Sequence, residues 1–180
     1  MSRPTLIVPG LHGSGAGHWQ HWWQQDQSQA VLVEQADWSN PDETRWTQAL
    51  ERAIVARPGS LIVAHSLGAI LVAKLARSRV SSMIAGALLV APADISRTSA
   101  RHQRTYEFGT MPQDVLPFPS IVVASHNDPY MPFAKIQILA HAWGSRLHDL
   151  GHVGHINIQS GFGRWSNGYL LASGVGHQLH

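Results

Sequence analysis

Leu61-Ile62-Val63-Ala64-His65-Ser66-Leu67-Gly68-Ala69-Ile70-Leu71-Val72-Ala73 is the stretch that decides the fold. Its first four residues form an unbroken apolar run, the pattern of a strand covered on both faces. From Leu67 onward the apolar residues continue over a helical length, so a buried strand passes into a helix at one serine. Ala64 and Gly68 lie two positions to either side of Ser66. A turn that sharp admits only small side chains at its flanks. It lifts the hydroxyl clear of the backbone and aims the first amides of the next helix at the space before it. Those amides and the helix dipole favour developing negative charge. The plain alternative is a serine that caps the helix, and Ala64 loosens the match to G-x-S-x-G.

Working outward, the same strand-then-helix pattern repeats. Leu6-Ile7-Val8, Val31-Leu32-Val33, Ala87-Leu88-Leu89-Val90 and Ile121-Val122-Val123-Ala124 read as further buried strands, with a sixth from Arg146 to Leu150. Helices are expected over Gly17 to Gln25, Thr44 to Ala56, Leu67 to Arg77 and Pro132 to Trp143, with one more after the sixth strand. Alternating strands and helices predict βαβ units, hence an α/β fold whose mostly parallel sheet of about six strands carries helices on both faces. Residues 1–180 form a single domain in this reading, with little length left for a lid domain. Ala93 to Pro119 has no clear apolar period and reads as a surface excursion.

Composition excludes several function classes. No apolar run approaches the roughly 18 residues of a membrane span, and the N-terminus has no secretory pattern. The chain has no cysteine, which removes disulfides, thiolate metal sites and a Cys nucleophile, and suits the cytoplasm. The pI is near 9.4, yet the formal charge is only +2. Arginines are scattered, and the nearest to a cluster is Arg97, Arg101 and Arg104. Nucleic-acid binding needs basic groups converging on one face, so none is expected.

A serine nucleophile needs a base, and the base needs an orienting carboxylate. On an α/β sheet these follow in the order serine, acid, histidine. Asp128 stands just after the Ser120 to Ala124 strand, and His152 and His155 follow the sixth strand, all at the sheet edge that carries Ser66. Asp94, after the Leu88 to Val90 strand, is an alternative acid. A second oxyanion donor is expected from the glycine-rich loop Pro9-Gly10-Leu11-His12-Gly13-Ser14-Gly15, so the backbone N–H groups of Leu11 and Leu67 are the candidates. That loop lacks both the P-loop ending and the dinucleotide spacing. Pairs such as His18/His21 and His152/His155 have metal-like spacing, but no Glu completes H-E-x-x-H, so neither metal nor cofactor is expected. Trp19, Trp22 and Trp23 fall on one helix face and read as packing, as does Trp165. His65 reads as a side chain turned away from that of Ser66.

Several blocks in register resemble the small α/β hydrolases grouped with YdeN and retinoblastoma-binding protein 9. They are Val8-Pro9-Gly10-Leu11-His12-Gly13-Ser14 with His18-Trp19, Ala64-His65-Ser66-Leu67-Gly68-Ala69, and Ala91-Pro92-Ala93-Asp94. Ser125 to Tyr130, Gly154-His155-Ile156-Asn157 and Ser160 to Trp165 complete the set. The resemblance spans nearly the whole chain and implies Ser66 as nucleophile, Asp128 as orienting acid and His155 as base. It implies a compact serine hydrolase acting on a small ester, thioester or amide without a large lid, metal or cofactor. A non-catalytic binding protein on the same fold is the alternative, and no protein partner is indicated.

Overall fold

The computed structural model describes residues 3–96 and 106–176. Its strands are β1 (Thr5–Val8), β2 (Ala30–Leu32), β3 (Ser60–His65), β4 (Ile84–Val90), β5 (Ser120–Ala124) and β6 (Arg146–Asp149). They form one six-stranded sheet in the order β2-β1-β3-β4-β5-β6. Every pairing is parallel, so the expected mostly parallel sheet is wholly so among the described residues.

Five helices cover it: α1 (Trp19–Asp26), α2 (Glu43–Ala56), α3 (Leu67–Ala73), α4 (Phe133–Trp143) and α5 (Ser166–Ser173). The alternation of strand side chains between two faces divides the core in two. Leu6 and Val8 of β1 face a cluster with Trp46, Leu50 and Ile54 of α2, together with α3 and α4 residues. Ile7, between them, faces the opposite cluster with Trp19, Trp23 and α5's Ala172. Asp42 starts α2 by accepting a hydrogen bond from the Arg45 N–H at 2.8 Å, and Glu43 adds favourable charge in the first turn. Gly144 ends α4 in the left-handed conformation.

Two expectations need correction. The helix from Leu67 is α-helical only to Ala73, and tightens into a 3-10 turn over Lys74–Arg77, a common way for a helix to end. The stretch from Ala93 to Pro119 is not merely a surface excursion, because Ile95, Phe108, Leu116 and Phe118 are buried. They stand at irregular spacing, each pinning the chain to the core separately, and so create no readable period. The Trp143 indole N–H donates to Pro112 O and the Leu116 N–H to Trp143 O, both at 2.9 Å. Arg97, Arg101 and Arg104 lie outside the described residues. No helix among those described is long and apolar enough to cross a membrane.

The tightest constraint in the fold is at Gly68. A Cβ there would collide with the carbonyl oxygen of Val8 and come within 2.5 Å of that of Pro9. Both are backbone atoms at the end of β1, which no rotamer change can move. Gly68→Ala should therefore destabilise the protein by at least about 2 kcal/mol. Gly15→Ala meets nothing within 4 Å and should stay within about 0.5 kcal/mol of wild type. Urea unfolding of the two variants checks the contrast, and equal stability would contradict the packing described.

Candidate active site

Between β1 and β3 the strand order reverses: β2 lies outside β1, while β4, β5 and β6 follow β3. Such a switch point opens a crevice at the carboxyl ends of the strands, and Ser66 stands beside it. Its backbone is at φ 57°, ψ −121°, a region that a non-glycine residue rarely occupies. Although Ser66 holds the N-cap position of α3, its hydroxyl makes no capping hydrogen bond. The capping alternative therefore fails.

The hydroxyl instead lies 2.9 Å from His155 Nε2. On the far side of the ring, His155 Nδ1 is 2.9 Å and 3.0 Å from the two carboxylate oxygens of Asp128. A carboxylate accepts, so Nδ1 carries the hydrogen and Nε2 is free to accept from Ser66. Asp128 and His155 are both buried. The Asp128 carboxylate also accepts from the Tyr130 N–H at 2.9 Å, and the Tyr130 ring tilts across His155 at 4.4 Å between centroids. This arrangement can pass the serine proton to an imidazole while a carboxylate holds the tautomer and offsets the charge.

The competing candidates are placed elsewhere. His152 is exposed and stacks on His126 at 5.2 Å. Asp94 is held by Lys135, whose ammonium donates to both carboxylate oxygens at 2.8 Å. Burial works to raise the Asp94 carboxyl, but hydrogen bonds from Lys135 and Ser96 outweigh it and hold the group below its ordinary value. His21 leans on Trp22. Among the described residues no group of three or more His, Asp or Glu side chains could hold a metal ion.

The mouth of the crevice is a cavity of about 460 Å³ bordered by Leu11, His18, Ser66, Leu67, Tyr130 and Ile158, among others. The main-chain N–H groups of Leu11 and Leu67 have no acceptor among the described residues. Gly10 brings the two loops together, since a Cβ there would sit 3.0 Å from Ser66 Cβ and 3.1 Å from Leu67 N.

Several supporting residues have no role in the sequence reading. Gln20 is buried and donates from Nε2 to Val8 O at 3.2 Å and Val63 O at 3.1 Å. Its Oε1 accepts from the Ser14 hydroxyl at 2.6 Å. One amide thus ties β1, β3 and the glycine-rich loop. Asn127 Oδ1 accepts from the Gly154 N–H at 2.8 Å, and Ser125 Oγ from the Val153 N–H at 3.0 Å, joining the Asp128 loop to the His155 loop. Ser160 Oγ accepts from the His155 N–H at 3.1 Å. The residue types could have suggested buried polar ties, but no local spacing names their partners.

Two further histidines complete a row. The centroids of His18 and His65, and of His65 and His155, are each 4.9 Å apart. His18 Nδ1 accepts the Gln20 N–H and so caps α1. Burial, with the nearby His155 adding to it, pushes the His18 ring down to about 4. Burial also drives His65 well below the ordinary histidine range, again helped by His155 and His18. Both rings are therefore neutral at physiological pH.

A parallel sheet of this order, with a serine on the sharp turn after β3 and a histidine–carboxylate pair beside it, defines an α/β hydrolase. The serine hydrolase family model matches residues 5–173, and the chain belongs to that family. It is a small serine hydrolase of the YdeN type. A structure described as a YdeN-like hydrolase of Pectobacterium atrosepticum is 33% identical, with TM-score 0.81, covering 96% of this chain and 90% of its own. The ydeN gene product of B. subtilis is 21% identical with TM-score 0.79, covering 96% of this chain and 97% of its own. Esterase 2 of Thermogutta terrifontis, at 18% identity and TM-score 0.64, shares the fold over 94% of this chain and 79% of its own. No curated protein matches the chain significantly.

The neutral histidines set an acid limit on stability. His18 titrates near 4 in the folded protein but at about 6.5 when unfolded. Below that upper value the unfolded chain binds the extra proton, so stability is lost as pH falls from 6.5 towards 4. The loss attributable to His18 is on the order of 3 kcal/mol. His18→Asn keeps a capping side chain that does not titrate. Its denaturant midpoint should fall less steeply over this interval than that of wild type, and parallel curves would contradict the assignment.

Proposed function

We propose that the protein hydrolyses small carboxylic esters, thioesters or amides through an acyl-enzyme on Ser66. The reading rests on the hydrogen-bonded chain from the Ser66 hydroxyl through His155 to Asp128. In it, His155 Nε2 takes the serine proton as Oγ attacks the substrate carbonyl carbon. Asp128 keeps the Nδ1–H tautomer and stabilises the imidazolium. The amides of Leu11 and Leu67 receive the oxyanion, a contribution that typically makes two to three orders of magnitude in rate. The imidazolium then protonates the leaving group, and a water activated by the same histidine releases the acid. No step calls for a metal or cofactor.

The cavity of about 460 Å³ lies at the low end of small-molecule sites, which favours short acyl groups. The Thermogutta esterase with this fold was captured phosphonylated by cyclosarin, so a fluorophosphonate is a suitable probe. Wild type should label and should hydrolyse short-chain p-nitrophenyl esters. Ser66→Ala should abolish labelling and lower kcat/KM at least about a thousandfold, and Asp128→Asn should lower kcat by up to about 10⁴-fold. His152→Ala should stay within about twofold of wild type, because its exposed ring stacks on His126 outside the Ser66–His155–Asp128 hydrogen-bonded chain. A folded wild-type protein that neither labels nor turns over any ester or aminoacyl substrate would instead favour the binding-protein alternative.

A further inference from the structure

The loop that carries His155 is held in a conformation its own sequence does not favour. Gly151 and Gly154 take positive φ, as glycine readily does, but so does Ile156, at φ 54°. A β-branched residue is a genuine outlier there, and such outliers persist only where their surroundings over-determine them. Ile156 is fully buried, directly after the histidine that meets Ser66. Two consecutive carbonyls of this segment are gripped by side chains from distant elements. His65 Nε2–H donates to His155 O at 2.9 Å. Trp19 Nε1–H donates to Ile156 O at 2.8 Å.

The donors are themselves fixed. His65 is the last residue of β3 and the chain neighbour of Ser66, so its ring ties the base loop to the backbone that presents the serine. Trp19 opens α1 and packs against His65, Trp23 and Trp165. A carbonyl only accepts, so His65 bears its hydrogen on Nε2. Its burial keeps it neutral, and it therefore puts no second positive charge beside the imidazolium that His155 would form.

We infer that His65 and Trp19 are positioning residues, a two-point clamp on the backbone of residues 155–156 that holds the His155 ring at hydrogen-bond distance from Ser66 Oγ. The inference rests on the proposed role of His155 as base. Asp128 fixes the orientation of the ring through Nδ1, and Ser125, Asn127 and Ser160 hold the backbone amides of residues 153–155. The clamp adds the two carbonyls that follow, those of His155 and Ile156, and supports the left-handed Ile156. Neither ring needs to touch substrate for this, so removing a donor should change turnover and leave binding nearly intact.

Trp19→Phe removes the N–H while keeping an aromatic ring in the Trp23 and Trp165 packing. His65→Gln places an amide N–H where Nε2 lies, His65→Asn places one nearer Nδ1, and His65→Leu offers none. Each variant is titrated to completion with a fluorophosphonate, so that kcat is expressed per reactive serine and unfolded protein is excluded from the count. Trp19→Phe, His65→Leu and His65→Asn should each lose about tenfold in kcat, within the roughly hundredfold cost of a 1 Å misplacement, with KM changed by less than about twofold. His65→Gln should recover most of the loss. A purely structural role would lower the titratable fraction and leave kcat per site unchanged, which overturns the inference. So would a His65→Gln no better than His65→Leu. If wild type itself neither labels nor turns over substrate, the reading of His155 as base falls, and the clamp with it. An active wild type beside an indifferent Trp19→Phe removes the clamp alone.

Discussion

The contact on which the rest of the site depends is the approach of the end of β1 to the start of α3. The carbonyl oxygens of Val8 and Pro9 occupy the space a side chain at position 68 would need. With glycine there, the first turn of α3 packs closely on the β1 loop, and Gly10 comes close to Ser66 Cβ and to the backbone of His65 and Leu67. The close approach puts Leu11 and Leu67 at the border of one cavity. It also explains why a buried glutamine is tolerated. Gln20 bonds to both strand ends and to Ser14, so its amide is satisfied where an unpaired one would be costly. A parallel sheet supplies the crevice, and this backbone contact gives it a shape.

The other half of the site is built by loops tied to one another as well as to the sheet. The Asp128 and His155 segments follow different strands, yet Ser125 and Asn127 hold the backbone amides of Val153 and Gly154. The two segments are therefore tied to each other directly. Rigidity of this kind matters more than any single bond, because proton transfer depends on distances that a shift of 1 Å destroys. Among the described residues, His12, Ser66, Ala91 and Ile156 are the non-glycine residues at positive φ, and Ser66 and Ile156 stand one on each side of the Ser66–His155 hydrogen bond.

How much of this the sequence carries depends on the range of the interaction. The strand-to-helix change at Ser66, a carboxylate and a histidine in that order, and the five α-helices follow from local pattern and from the rule that α/β sites gather at one sheet edge, while the choice of His155 over His152 rests on the resemblance. Long-range polar ties do not. Trp19 stands 137 residues from Ile156 and His65 stands 90 from His155, and nothing in either neighbourhood marks the partner. The three tryptophans of α1 are legible as a packing face because apolar periodicity is a local property. The indole N–H of one of them, which grips the base loop, is not. Ile95, Phe108, Leu116 and Phe118 escaped for a related reason: single anchors in an irregular segment create no period, although each is buried.

The histidines show the same distinction between composition and placement. Twelve of them in one chain suggest metal binding until each is given its neighbours. His18 spends one nitrogen on a helix cap and His65 one on a backbone carbonyl, and burial keeps both uncharged. His155 differs because both of its nitrogens meet groups that can exchange or share a proton, a hydroxyl on one side and a carboxylate on the other. Three similar rings, each 4.9 Å from the next, thus have different chemistry because only one has a carboxylate beside it. That asymmetry, set by Asp128 and by the burial of the other two rings, singles out one ring in a buried cluster of like residues as the proposed base.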